Sequence, residues 1–122
     1  MEILLALTAG YIILVLINKV TAPKVDHVSG RDLDGMIKDK QVKRQFVDVR
    51  TASEFSERKV KGFTNIPLDQ LGRRVKELSP DKPVVVMCAS GSRSIRAARI
   101  LNKNGFKQII NVKGGISTYA SK

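Results

Sequence analysis

The chain has 122 residues, 22 Lys and Arg against 11 Asp and Glu, a formal net charge of +11, and one cysteine. That length suits a single domain with a modest core, and the lone cysteine excludes an intramolecular disulfide, so nothing demands an oxidising compartment. The charge surplus suits nucleic acid, anionic lipid or anionic substrates; without an aromatic stacking pattern, a recognition helix or an RNA motif, no nucleic-acid partner is expected.

Residues 3–17 carry no charge. As a helix they would rise ~22 Å, and with Lys19 snorkelling the run to Val20 reaches ~27–30 Å, enough for a hydrocarbon core. Glu2 precedes the run, which has no basic start, and no clear small-x-small cleavage site lies before Pro23, which speaks against a cleaved signal peptide. The expectation is a transmembrane helix over 1–20, a linker over 21–24, and one domain over 25–122. Lys19, Lys24 and the basic domain follow the span, so the positive-inside tendency places the domain on the cytoplasmic side.

Val25-Asp26-His27-Val28 reads as an entry strand, and Ser29 with Asp32 as a capping box for a helix that turns Leu33, Met36 and Ile37 inward. His27, the only histidine, has no clustered second ligand, so no metal site is expected and a surface role suits it best. Gln45–Val49 reads as a strand buried at Phe46, Val47 and Val49. Asp48 and Arg50 lie at its C-terminal end, where parallel sheets gather ligand-binding groups, but a carboxylate beside a thiolate would oppose its formation, and Asp48 is expected to pair with an Arg instead. Thr51 and Glu54 form a second capping box. Phe63–Leu68 reads as a strand, and Leu68, Leu71, Val75 and Leu78 have helical spacing, with Arg73, Arg74 and Lys76 on the solvated face.

After the turn Ser79–Pro83 comes Val84-Val85-Val86-Met87, a continuous apolar run typical of a strand buried on both faces. Cys88 follows it, before a helix carrying Ile95, Ala98, Ile100 and Leu101 and ended by Asn104-Gly105. A thiol between a buried strand and a helix N-terminus meets free backbone N–H groups and the positive end of the helix dipole, both of which favour the reactive thiolate. Gly91 lets the amides turn inward as an anion nest, Arg93 adds a forked cation, and Ser92 and Ser94 are candidate caps or hydroxyl donors. Lys107–Val112 reads as a last strand, Gly114-Gly115 as a flexible turn, and Ile116–Tyr119 as the start of a final helix. Strands alternating with helices imply a mainly parallel α/β sheet covered on both faces.

Cys88-x-x-Gly91-x-Arg93-Ser94 after an apolar strand resembles the active-site loop of the rhodanese domain, a sulfurtransferase fold. Phe46–Phe55 continuing to Gly62–Leu68, and Asn104-Gly105-Phe106 followed by Ile109–Ile116, resemble the family's other two signatures in the family's order. The resemblance implies five strands with helices on both faces and the thiol loop at the C-terminal edge of the central strand. It also implies a catalytic Cys88 that takes a sulfane sulfur from thiosulfate or a persulfide and yields it to cyanide or a thiol, a protein thiol included, with no cofactor. Ala89, Ser90, Gly91, Ser92, Arg93 and Ser94 would hold the persulfide. Three departures stand out: Arg58-Lys59-Val60 replaces the usual Gly-His-Ile, Tyr119 stands where Trp is frequent, and Ala89 replaces the basic residue that many thiosulfate users carry after the cysteine. Phosphatase relatives place five residues between Cys and Arg around a tetrahedral oxyanion; the four here make a tighter cradle that suits sulfur. A non-catalytic, membrane-tethered interaction module is the remaining alternative.

Overall fold

The computed structural model describes residues 2–21 and 24–119; of Ile17–Thr21 only the helical backbone is described. Five strands form one parallel sheet: β1 (Val25–Ser29), β2 (Gln45–Asp48), β3 (Thr64–Asn65), β4 (Val84–Met87) and β5 (Ile109–Lys113), in the order β1-β5-β4-β2-β3. The helices are α1 (Glu2–Thr21), α2 (Leu33–Lys38), α3 (Ala52–Glu57), α4 (Leu68–Arg74) and α5 (Ser92–Lys103), with 3-10 turns at Gly30–Asp32, Val75–Glu77 and Gly115–Thr118.

The central strand β4 is fully buried, as its unbroken apolar run requires. Val84 and Val86 pack with Leu71, Ala97, Ala98 and Leu101 of α4 and α5, while Val85 and Met87 meet Leu33, Phe63, Val112 and Ile116 on the other face. Alternation along β4 therefore supplies both layers of the core. The chain leaves β4 for β5 on one side while β2 lies on the other, so the end of β4 is the switch point of the sheet, where such folds open a crevice.

Three expectations change. The strand over Phe63–Leu68 shortens to Thr64–Asn65, because Pro67 has no N–H to donate and caps α4 instead. The final helix is a 3-10 turn, Gly115–Thr118. The spanning anchor over 1–20 is not supported. Its backbone is helical, but the described apolar side chains, Ile3–Leu16, cover about 21 Å against the roughly 30 Å of a hydrocarbon core. Among the described residues no helix is long and apolar enough to cross a membrane. Ala22 and Pro23 of the expected linker, and Ala120–Lys122 at the end of the expected domain, lie outside the described residues.

Candidate active site

The loop after β4 places Cys88 under the N-terminus of α5. Gly91, the residue before that helix, has φ 106, a left-handed conformation that costs glycine nothing. The turn aims the Gly91 N–H at Cys88 Sγ, 3.0 Å away, and brings the Ser94 hydroxyl within 3.5 Å of it. Burial pushes the thiol up, but the Ser94 hydroxyl and the amides of Ser94, Gly91 and Ser90 outweigh it and hold the thiol below its ordinary range. Of the amides expected to form the nest, the Gly91 N–H is the one hydrogen-bonded to the sulfur among the described residues. Cys88 and Ser94 are both fully buried.

The back of the loop is clamped by the segment that begins at Gly114-Gly115. Ile116 N donates to Cys88 O at 2.8 Å and Ser117 N to Ala89 O at 3.3 Å. Gly115 has φ +64, and a Cβ there would lie 2.3 Å from Cys88 O and 2.6 Å from the Ala89 carbonyl. Gly114-Gly115 is therefore a close-approach clamp, not the flexible turn expected from the sequence.

Arg93 turns away from the sulfur. Its fork pairs with Glu54 at 2.7 and 2.9 Å, and that hydrogen bond pulls the Glu54 carboxyl down to about 2. Glu54 also closes the capping box with Thr51, so one carboxylate ties the start of α3 to the start of α5. Arg93 reaches Cys88 only through its charge. Asp48 takes the partner expected of it: Arg50 grips it through Nε at 3.0 Å and Nη2 at 2.7 Å, both residues buried. The same guanidinium donates to the carbonyls of Glu54 and Arg58, which fixes α3 beside the loop. Arg58, in the segment that departs from the family pattern, donates to Tyr119 O at 2.7 Å, and Tyr119 Oη donates to Asp34 at 2.7 Å.

Two open hollows flank the loop. One, about 460 Å³, has Val49, Pro67, Leu68 and Ile100 among its apolar lining and Arg93, Arg96 and Arg99 among its polar lining. The other, about 320 Å³, is bordered by His27, Ser90, Gly91, Asn111, Lys113 and Gly114. Among the described residues no cluster of His, Cys, Asp and Glu is arranged to hold a metal ion.

Two residues that bear on the sulfur escaped sequence reasoning. Asn111 is a lone polar residue in the buried run Ile109–Val112, and a buried polar group needs a partner; that signal was available. Ser94 Oγ donates to Asn111 Oδ1. His27, assigned to the surface, is exposed but reaches Asn111 from the neighbouring strand.

Residues 29–122 match the family model of the rhodanese-like domain. The chain belongs to that family. This rhodanese-like domain is 45% identical over 80 residues to the uncharacterized protein YqhL of Bacillus subtilis, a match that covers 66% of this chain and 64% of the relative, just under two thirds of its length. It is 31% identical over 93 residues to the thiosulfate sulfurtransferase GlpE of Shewanella oneidensis, covering 76% of this chain and 90% of that one. Among solved structures it superposes on a rhodanese-related protein of Thermoplasma volcanium with a TM-score of 0.67 and 32% identity, over 77% of this chain and 89% of that one.

Proposed function

We propose that the domain transfers sulfane sulfur by carrying it as a persulfide on Cys88. The observation that carries this reading is a single buried sulfur that receives the Gly91 N–H at 3.0 Å, with the Ser94 hydroxyl at 3.5 Å. In the first half-reaction the thiolate attacks the outer sulfur of a donor such as thiosulfate; the donor's S–S bond breaks and sulfite leaves with the electron pair. In the second, a thiolate or cyanide attacks the outer persulfide sulfur and the Cys88 thiolate departs. The nest that holds the thiolate also holds the persulfide anion, and removing one donor from comparable anion sites costs about 3–4 kcal/mol of barrier. The similarity to GlpE supports the reaction class.

Ala89 supplies no cation beside the sulfur, and Arg93 is engaged by Glu54. Thiosulfate is therefore a slow donor in this account, and a low-molecular-weight persulfide, or one on a protein, a better one. Arg96 and Arg99 in the larger hollow provide positive charge for an anionic donor. Because Cys88 is fully buried, small reagents reach it more readily than bulky ones. Thiocyanate formation from thiosulfate and cyanide tests the reading: the account expects slow but measurable turnover, and a Cys88→Ser chain that kept it would end the proposal.

Burial of Cys88 and diversion of Arg93 favour one second reading, a non-catalytic interaction module. An unreactive Cys88 at neutral pH would support it. Residence at a membrane with the domain on the cytoplasmic side is a separate proposal, supported by the exposed apolar side chains from Ile3 to Leu16. Flotation of the full chain with anionic vesicles tests the membrane association, and a chain that stays behind when the vesicles float would end it.

A further inference from the structure

The surroundings of the sulfur continue past Ser94 to the protein surface. Ser94 Oγ donates to Asn111 Oδ1, and Asn111 Nδ2 lies 3.2 Å from His27 Nδ1. His27 and Asn111 are register partners across the β1–β5 pair. Cys88 and Ser94 are fully buried and Asn111 is 3% exposed, whereas His27 is exposed. Three hydrogen bonds, passing through Ser94 and Asn111, therefore connect the buried sulfur to the imidazole that borders the smaller hollow.

Each link in this line has a direction. The thiol S–H donates to Ser94 Oγ, the hydroxyl donates to Asn111 Oδ1, and the carboxamide N–H donates to the lone pair on His27 Nδ1, which leaves the ring proton on Nε2. An ionised or persulfidated sulfur has no proton to give, and the Ser94 hydroxyl helps it only by turning to donate. Ser94 has one proton, for which Gly91 O, 3.0 Å away, also competes. Once that proton points at the sulfur, Oγ needs a donor, and Asn111 supplies one by presenting its amide nitrogen. Its oxygen then faces His27, and this fits only an imidazole protonated at Nδ1.

We propose that His27 is a positioning residue: through Asn111 it sets which way the Ser94 hydroxyl points, and so whether the loop favours neutral or anionic sulfur at Cys88. The inference deepens the reading of Cys88 as a sulfur carrier and rests on it for its role in turnover. No covalent bond between heavy atoms changes in the switch. The carboxamide rotates, the ring proton moves from Nε2 to Nδ1 by way of solvent, and the thiol proton leaves to solvent. His27 also borders a second hollow, shared with Ser29, Arg31 and Thr118, and the charged groups lining the two are Lys113 of β5 and Arg31 of the turn after β1. Both are cations, and the switch needs no charge on the ring.

The test is the rate of Cys88 alkylation by iodoacetamide, a neutral reagent, followed by intact mass from about pH 6 to 9 in the parent, His27→Ala and His27→Asn. Asparagine offers an amide close to where Nδ1 sits and can face either way. The alanine chain should react about three- to tenfold more slowly at neutral pH, and asparagine should restore most of the rate. An alanine chain as fast as the parent, or an asparagine chain as slow as alanine, overturns the proposal. A second measurement needs no change at His27. Nitrogen-15 NMR should find the ring proton on Nδ1 in the parent once the sulfur is ionised and on Nε2 in Cys88→Ser; one tautomer in both chains overturns the proposal. Neither readout uses a sulfur donor, so a chain that shows the coupling yet accepts no sulfur sinks the carrier reading and leaves the positioning role standing.

Discussion

Ser94→Ala isolates the one side-chain hydroxyl that, among the described residues, is hydrogen-bonded to the sulfur. In the parent, Ser94 Oγ lies 3.5 Å from Sγ and is first among the groups that lower the thiol against the opposing effect of burial. A hydrogen bond to a charged group contributes roughly 1.5–3 kcal/mol, and the long contact points to the lower end. Since about 1.4 kcal/mol is tenfold in an equilibrium, the ratio of thiolate to thiol at a given pH should fall about tenfold. The methyl group also leaves Asn111 Oδ1 and Gly91 O without this donor, a stability cost of about 1–3 kcal/mol. Alkylation by iodoacetamide measured against pH separates the two effects. The variant's rate should lag about tenfold near neutrality and converge with the parent's where both thiols are ionised, while Ser94→Thr, which keeps a hydroxyl, should stay near the parent. A folded Ser94→Ala chain that alkylates at the parent's rate at neutral pH would refute the argument that this hydroxyl holds the anion.

Further outcomes follow from the same contacts. Gly115→Ala forces φ +64 on an alanine and drives its Cβ to 2.3 Å from Cys88 O; the cost should exceed about 2 kcal/mol, read as a lowered thermal midpoint together with slowed alkylation. Gly72→Ala, inside α4 where a Cβ meets nothing within 4 Å, should instead stabilise by about 0.5–1 kcal/mol, and a loss of stability there would contradict the helix assignment. The Cys88 thiol is held below its ordinary range in the folded chain. Its ionisation therefore adds stability that is complete above the unfolded thiol value of about 8.5 and is lost as pH falls through the folded value. Denaturant titrations should show the parent gaining on Cys88→Ser across that interval and levelling off above it; a constant difference would mean that the thiol is not perturbed. Glu54, drawn down to about 2 by Arg93, adds stability above the ordinary value of 4.5 that is lost as the carboxyl protonates in acid. Glu54→Gln should flatten the acid limb of the stability curve, and an unchanged limb would show that the pair is weak in solution.

Most of the scaffold was legible because it is written in short-range patterns. The apolar run of β4, the helical spacing behind Cys88 and the Thr51–Glu54 box each depend on neighbours within a few residues, and each appears in the fold. The Cys88 loop was legible for the same reason, since Gly91 and the start of α5 follow within four residues. What was not legible spans the sheet. Arg93 meets Glu54 39 residues away, and Asn111 meets His27 84 residues away, pairings created by strand order and not by spacing. Asp48 was assigned an arginine partner on electrostatic grounds alone, and Arg50 two residues later fills that place. The N-terminal segment shows the converse: its apolar run predicts a helix correctly, but local pattern does not decide whether that helix crosses a bilayer.

The central claim is that one buried, amide-held sulfur stores another sulfur atom. Intact-mass measurement of the full chain after incubation with thiosulfate or a low-molecular-weight persulfide tests it directly. The account predicts a gain of a single sulfur atom, reversed by reductant or cyanide and absent from Cys88→Ser. A mass unchanged by every donor while iodoacetamide still labels Cys88, or a gain that persists in Cys88→Ser, would contradict it.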